Sequence, residues 1–459
     1  MLVMQALTAT ALFRIWPALL FIGGWSTAIV LINRKTEAEL TVPATMLTVL
    51  GVLLGLTLSY RTSSAYDRYW EGRRQWSQII LASRTWTRLV WIHCPDSMTN
   101  AIGVGDKEEQ ALVECQAILE KKTMAQMSLG FAVAVKHYLR GEEGILYEDL
   151  YDLVTFIPSL HLPSSTPSSS SDANIALCPP PSQYSLWQRS VNAEASKEGK
   201  DGESKVTAAL ATRPQLQPAR APSVSHWMNV WPIRYFMTNR QCAKAVSRKT
   251  QCKQIKESQE GGGVEQNVPL EISLFMSCWV ADMQRRKTID VSTVNNLLQT
   301  LSSMSDALAS LERILTTPIP WSYNAHIWEV TYLYCLLLPF QLYGSGFGWI
   351  TIPAVMITTY IVVGFAEIGS EIENPFGYDP NDLNLDHFTS NIIRNEVNAV
   401  TARPFAPPQE WIFSSNNHVA GQGLAAKDLQ HVGPTKLREL LKPGVAAEPH
   451  EHGLLPKSV

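Results

Sequence analysis

Long apolar runs separated by polar segments dominate the pattern of this chain. Two runs cover residues 15–32 and 42–60, and two more cover 327–343 and 349–368. A helix rises about 1.5 Å per residue and a bilayer core is about 30 Å thick, so these runs predict membrane-spanning helices. Aromatic residues at the ends of the last two runs are typical of a membrane–water boundary. The pattern predicts an all-α, multi-pass membrane protein with four spans and a helical bundle outside the membrane.

The second apolar run passes directly into a charged segment. It carries no charge up to Tyr60, and residues 61–76 then mix arginine and acidic residues with tyrosine and tryptophan. No glycine or proline lies at the junction, which favours one uninterrupted helix that leaves the lipid and enters water. From residue 61 to 93 the apolar residues recur on one helical face, so this half is expected to join the bundle.

Further helices are predicted at 106–140, as two helices of which the second ends at Gly141, and at 270–286 and 291–315. The Ser/Pro-rich segment 160–266 carries too little apolar surface to offset its chain entropy and is predicted to be a mostly disordered insert. The predicted membrane domain is therefore 1–403, interrupted by this insert. It is followed by a polar tail at 404–459, also expected to be disordered.

Charge and cysteine content narrow the functional classes. The formal net charge is −3, which argues against nucleic-acid binding, and the seven cysteines form no C-x-x-C pair, which favours a reduced intracellular compartment. Arg14 precedes the first span, arginines follow the second, and the loop 344–348 is uncharged. Both termini and the middle region are therefore expected on the cytosolic side, or its organellar equivalent. No nucleophile, P-loop or zinc-protease motif occurs, so we expect no enzyme.

Four separated segments carry a family resemblance. They read YRTSSAYDRYWE at 60–71, LRGE at 139–142, ERI and TPIP at 312–320, and ENPFGYDPNDL at 373–383. In this order they resemble the bestrophins and their bacterial and fungal relatives, over all of the chain except the insert and the tail. The resemblance implies a homopentamer in the lipid bilayer that conducts chloride or similar anions passively. The alternative is a membrane-anchored scaffold with a closed or vestigial pore.

The resemblance also implies a pore neck at Val52, Leu56 and Tyr60 on the second helix. Their spacing independently places them on one helical face, and stacked apolar rings can gate by dewetting. Tyr60 stands where the family pattern has phenylalanine. The alternative is that the three residues pack against neighbouring helices. Arg61 and Arg68 are candidates for a positive inner mouth, although ion pairs with Asp67 and Glu71 are the other interpretation.

The loop near residue 380 raises the question of calcium. Animal bestrophins bind calcium through consecutive acids here, whereas this chain has Asp379 and Asp382 separated by Pro380 and Asn381. Calcium prefers several carboxylate and carbonyl oxygens, which makes the two aspartates a candidate metal site. The alternative is that they cap turns and helix starts.

Overall fold

The computed structural model describes residues 12–36, 40–96, 107–142, 144–158, 216–220, 267–379, 381–403, 407–419 and 425–441. The helices of the first compact unit, residues 1–400, are α1 (Leu12–Lys35), α2 (Ala44–Arg88), α3 (Lys107–Leu139), α4 (Tyr151–Val154), α5 (Val268–Arg285), α6 (Val291–Thr316), α7 (Trp321–Gly344), α8 (Thr351–Ile372) and α9 (Arg394–Thr401). Short π-helical turns extend α2 (Leu89–His93) and precede α9 (His387–Ile393). A 3-10 turn, Gly348–Ile350, precedes α8.

Three of the described helical stretches are long and apolar enough to cross a membrane, namely Arg14–Lys35, Ala44–His93 and Gly348–Ile372. They contain the first, second and fourth expected spans. The third run lies in α7, which is helical but falls outside this set because tyrosines, Glu329 and Gln341 lower its hydropathy. Helix α8 packs on α1, α2 and α7. Four apolar helical segments are thus gathered together, while the count of four spans stays a prediction.

The second half of α2 forms a bundle with α3, α5 and α6. Trp76 and Trp86 are fully buried at its centre, and Trp86 packs edge-on against Trp279 at 6.1 Å. The Trp86 indole N–H donates to the carbonyl of Met124 at 2.8 Å, so its one polar atom is satisfied inside the core. This bundle is the larger apolar core of the unit and confirms the amphipathic pattern of residues 61–93.

Two sequence predictions need correction. Residues 107–139 form one helix rather than two, because the apolar face of α3 continues through its middle against α5. Its end is as predicted: Gly141 adopts a φ of +65°, and Glu142 N–H donates to the carbonyl of His137. The tail, expected to be disordered, contains three short helices among its described residues, α10 (Pro408–Ile412), α11 (Ala426–Leu429) and α12 (Pro434–Leu440). Proline at the first turn of α10 and α12 favours these starts.

The predicted insert, 160–266, lies outside the described residues except for 216–220. These five residues form a parallel β-bridge between Gln217 and Tyr147. It is the one β-type pairing in the part of the chain that the structure describes.

Candidate functional site

The first half of α2 has one apolar face that no other part of the described chain covers. Val52, Leu56 and Tyr60 lie on this face and are 69%, 69% and 68% exposed. The opposite face is buried, with Leu54 and Leu58 packed against Ile327 and Ala366 in α7 and α8. The three predicted residues therefore share one face, as the spacing required. Within one chain they do not pack against neighbouring helices.

Arg61 points the other way, into the protein. Its side chain is fully buried, donates to the Ser370 hydroxyl at 2.6 Å, and lies over the Trp328 ring at 5.7 Å. Gly369 of α8 approaches it closely: a Cβ there would lie 3.7 Å from Arg61 Nε. Within the chain, Arg61 thus joins α2 to α7 and α8 rather than lying on the exposed face.

Arg68 hydrogen-bonds to backbone carbonyls at two helix ends. Its guanidinium donates to Ile314 at 2.6 Å and to Thr317, at the end of α6, and to Glu373 at 3.1 Å, just after α8. The last carbonyls of a helix lack intrahelical donors and carry partial negative charge, so a guanidinium there satisfies and stabilises them. Arg68 is thereby half-buried at the junction of three helices. The alternative of an ion pair between Arg68 and Glu71 is not found among the described residues: Glu71 pairs instead with Arg313 of α6.

Asp379 and Asp382 close a turn after α8. The Asp379 N–H donates to Asp382 Oδ2 at 2.8 Å, and the Asp382 N–H donates to the carbonyl of Asp379 at 3.0 Å. Asp379 also pairs with Arg14 at 3.3 Å. Burial raises the pKa of Asp382 to about 7, and the nearby Asp379 carboxylate adds to the rise. The turn is therefore built by the Asp382 side chain and the Asp379 backbone, from the two residues that were candidate metal ligands.

These two carboxylates fit a calcium ion poorly. One Asp382 oxygen faces the backbone of its own turn, where a Cβ on Gly377 would lie only 2.6 Å from it. The Asp379 carboxylate faces a guanidinium. Among the described residues no group of three or more His, Cys, Asp or Glu side chains is placed to hold a metal ion. The geometry favours the turn-capping alternative.

A cavity of about 760 Å³ opens above this turn, between α1, α7 and α8. Phe21, Trp328 and Val363 line its apolar side, and Arg14 and Glu371 line its polar side. Arg14 pairs with Glu371 at 3.1 Å as well as with Asp379, so the start of α1 is tied to the end of α8.

Sequence reasoning missed a buried group of charges, which we call the ionic cluster. Its members come from the end of α3, the segment before α4 and the loop after α8: Lys136, His137, Arg140, Glu142, Asp149 and Asp386. Lys136 pairs with Asp149 at 2.5 Å and with Asp386 at 3.1 Å, and its side chain is 1% exposed. The signal available was the LRGE segment, which marks the helix end but not its partners.

His137 and Arg140 extend the cluster in two directions. The two ring nitrogens of His137 face Glu142 at 2.5 Å and Asp149 at 2.9 Å. The imidazole is thus held between two carboxylates, with one hydrogen-bond contact at each ring nitrogen. Arg140 pairs with Asp386 at 3.4 Å and lies over the Tyr378 ring at 3.9 Å. The cluster thereby fixes the loop after α8 to the bundle.

The cationic partners lower the pKa values of both aspartates. For Asp149, burial acts to raise the pKa, but hydrogen bonds from His137 and Lys136 outweigh it and the pKa lies below its usual value. For Asp386, burial again acts upward, and Arg140 and Lys136 bring the pKa below its usual value. Both carboxylates are therefore ionised at neutral pH, as paired buried charges must be.

A model of the protein family described as "Bacterial/Fungal Bestrophin protein" matches residues 1–191 and 206–398. The chain belongs to this family. Among curated relatives of this bestrophin, a protein of Nostoc sp. named voltage-dependent anion channel-forming protein is 26% identical over 345 residues, covering 75% of this chain and 74% of the relative. A Synechocystis sp. protein of the same description is 24% identical over 367 residues, covering 80% and 81%.

Solved structures agree on the fold of this bestrophin. Two crystal structures of a bacterial bestrophin homologue from Klebsiella pneumoniae match with TM-scores of 0.50. They are 17% and 18% identical in sequence and cover 84% and 86% of this chain and 98% and 100% of the solved one. The family resemblance carried by the four motifs is confirmed.

Proposed function

We propose that this bestrophin is a passive anion channel whose narrowest part is lined by Val52, Leu56 and Tyr60. The observation that carries the proposal is the uncovered apolar face on a helix long enough to span a membrane. The matched relatives are named as anion channel-forming proteins, which supports the ion class. Contact between apolar side chains and water is unfavourable. An uncovered apolar face of this kind therefore marks a functional or interaction surface.

Apolar rings control ions through water rather than through charge. A narrow apolar constriction loses its water readily, and an ion cannot cross without hydration. Tyr60 differs from Val52 and Leu56 because its hydroxyl offers water a hydrogen-bond partner at one edge of the neck. We infer that the Tyr60 ring is the wettest of the three.

Arg61 and Arg68 act on the neck indirectly. Arg61 holds the inner face of α2 against α8, and Arg68 satisfies the carbonyl ends of α6 and α8. We propose that both arginines position α2. Their positive charges also contribute an electrostatic potential at the inner mouth of the pore.

The channel requires several copies of the chain. Each chain contributes one α2 to the proposed neck, and one helix cannot enclose a pore. We propose a homopentamer in the lipid bilayer with four spans per chain, and with both termini and the helical bundle on the cytosolic side. Particle images of the detergent-purified protein test the symmetry. Cysteine accessibility in sealed vesicles tests the orientation, because Cys115 and Cys278 are exposed on the bundle.

A chloride-flux assay in liposomes tests the neck. Leu56→Ala removes side-chain volume at a narrow ring, so we expect flux to rise severalfold over the wild type. Leu20→Ala is the matched control, because Leu20 is 61% exposed on α1 and undergoes the same change outside the neck. Equal flux in wild type and Leu56→Ala would contradict the neck assignment. A wild type that conducts nothing across calcium and pH would favour the scaffold function.

Calcium binding at Asp379 and Asp382 stays a separate prediction. Calorimetric titration of the purified protein with calcium up to submillimolar concentrations tests it. Heat that disappears in Asp379→Asn would support the site. No binding heat in the wild type would remove it and leave the turn-capping role.

A further inference from the structure

Residues 216–220, from the long segment between α4 and α5, lie against the edge of the bundle. The Gln217 N–H donates to the carbonyl of Leu146 at 2.8 Å, and the Glu148 N–H donates to the carbonyl of Gln217 at 3.0 Å. This is the hydrogen-bond pattern of a parallel strand pair one residue long. The contact is made through backbone atoms on both sides.

The local sequence suits this pairing. Pro218 disfavours helical backbone at Gln217, which keeps that residue extended. Pro218 also has no N–H, so it needs no further partner on the receiving edge. A segment that is extended before it binds loses less chain entropy on binding.

The same five residues complete the hydrogen bonding of a buried cation. An ammonium group has three donors. Those of Lys136 meet Asp149, Asp386 and the carbonyl of Ala219, the last at 3.2 Å. Arg220 Nε lies 4.0 Å from the Asp386 carboxylate and adds a further positive charge there. Without the segment, one donor of a nearly inaccessible lysine would lose its partner, which is costly in a protein interior.

The receiving edge is itself built by the ionic cluster. Tyr147, the residue opposite Gln217, stacks on His137 with ring centroids 4.0 Å apart. His137 is in turn held between Glu142 and Asp149. The edge is thus held in position by contacts that do not involve residues 216–220.

We propose that residues 145–148 and Lys136 form a peptide-docking site whose occupant is this chain's own segment 216–220. Recognition is by strand addition, through backbone hydrogen bonds and one lysine donor, and depends little on the side chain of Gln217. Docking anchors the middle of the long segment to the bundle. This assignment is independent of ion conduction.

Docking also stabilises the loop after α8. Asp386 contacts both Lys136 and Arg140, and Arg140 Nε donates to the carbonyl of Phe376 at 3.3 Å. Leu383 N–H closes the same loop onto the carbonyl of Pro375 at 3.0 Å. Loss of residues 216–220 weakens the contacts of Lys136 in this series. The rise in amide hydrogen exchange is therefore expected to be large at Glu148 and smaller at Leu383.

Hydrogen exchange of the full-length protein tests the site, by comparing wild type, Gln217→Pro and Gln217→Ala. Proline removes the N–H that binds Leu146, so exchange of the Glu148 amide is expected to rise about tenfold. Alanine keeps the backbone pair, so its exchange is expected to stay near the wild-type rate. Equal Glu148 exchange in wild type and Gln217→Pro would overturn the proposal. If Gln217→Pro fails to fold, replacing residues 216–220 by Gly and Ser at equal length gives the same comparison.

A peptide added in trans tests whether the site is a separable receptor. A synthetic peptide with the sequence of residues 212–224 should restore Glu148 protection in Gln217→Pro with a saturable dose dependence. The same peptide carrying proline at position 217 is the control and should restore none. No protection by the native peptide at any soluble concentration, or equal protection by both peptides, would overturn backbone docking at this edge.

Discussion

The exposed face of α2 and the ionic cluster reverse the usual positions of apolar and charged side chains in two different parts of the chain: the first exposes apolar side chains, and the second buries charged ones. On α2, Val52, Leu56 and Tyr60 leave about two-thirds of their surface uncovered within one chain, whereas Lys136 of the ionic cluster is almost entirely buried. Buried charges are stable only when paired, and exposed apolar faces persist only where a function or a partner maintains them. The ionic cluster therefore stabilises the fold, whereas the α2 face is the surface to which we assign the proposed pore neck.

The largest expected effect comes from breaking the cluster. Lys136→Met leaves Asp149 and Asp386 buried without their shared cation, which is expected to lower the free energy of unfolding by about 3–5 kcal/mol. Thermal unfolding in detergent measures it. Leu56→Met, which introduces the same residue on the exposed α2 face, should leave the midpoint of thermal unfolding unchanged. A Lys136→Met protein as stable as the wild type would remove the distinction between the two regions.

Arg68 gives the next largest effect, because it stabilises helix ends next to α2. Arg68→Ala leaves carbonyls of Ile314, Thr317 and Glu373 without their donor, and a loss of about 2–3 kcal/mol is expected. Arg74→Ala is the matched control, since Arg74 is exposed six residues further along the same helix. Equal stability of the two variants in thermal unfolding would contradict the positioning role.

The pH dependence of stability should have opposite signs at the two acidic sites. The Asp382 pKa, raised to about 7 by burial, means that the native state binds more protons than the unfolded chain between pH 3.8 and about 7. Stability therefore falls as the pH rises through that window. Asp149 and Asp386, with lowered pKa values, stabilise the native state above their unfolded pKa and lose this contribution only in acid.

Asp382→Asn tests whether Asp382 causes stability to fall as the pH rises. The amide oxygen can still accept from the Asp379 N–H but carries no charge, so the variant should be more stable than the wild type at pH 8 and similar at pH 5. Thermal midpoints across this range measure it. A wild-type stability that rises steadily from pH 5 to pH 8, with the variant parallel to it, would contradict the raised pKa.

Tyr60→Phe makes the smallest change and acts only on the exposed face. It removes one hydroxyl from the proposed neck, so stability should change by less than about 0.5 kcal/mol. The ring becomes more apolar, and chloride flux is expected to fall. Tyr66→Phe, a change of the same kind at an exposed position later on α2, is the control. A flux above the wild type would show that the hydroxyl does not wet the neck.

Local patterns predicted much of this architecture. The uncharged run to Tyr60 followed by an amphipathic segment predicted one continuous helix, and α2 is continuous from Ala44 to Arg88. The i, i+4, i+8 spacing placed Val52, Leu56 and Tyr60 on one face. Each depends only on neighbours along one helix, which is the information that periodicity contains.

Contacts between distant positions were beyond such patterns. Arg61 and Arg68 were interpreted from their place after an apolar run, yet their partners, Ser370 and Glu373, lie about three hundred positions later. The ionic cluster joins Lys136 to Asp386 across 250 positions. A charged residue does not carry in its own sequence neighbourhood the identity of a partner brought to it by tertiary packing.

The length of α2 has a mechanical consequence. Its 45 residues form a continuous helix of about 70 Å, with the proposed neck in its first half and the bundle around its second half. Leu56 lies about ten residues, or about 15 Å, from the middle of the helix, so a tilt of about 5° around the middle moves Leu56 by about 1.3 Å and each end by about 3 Å. Any ligand, modification or partner that shifts the bundle would therefore tilt α2 and move its membrane half.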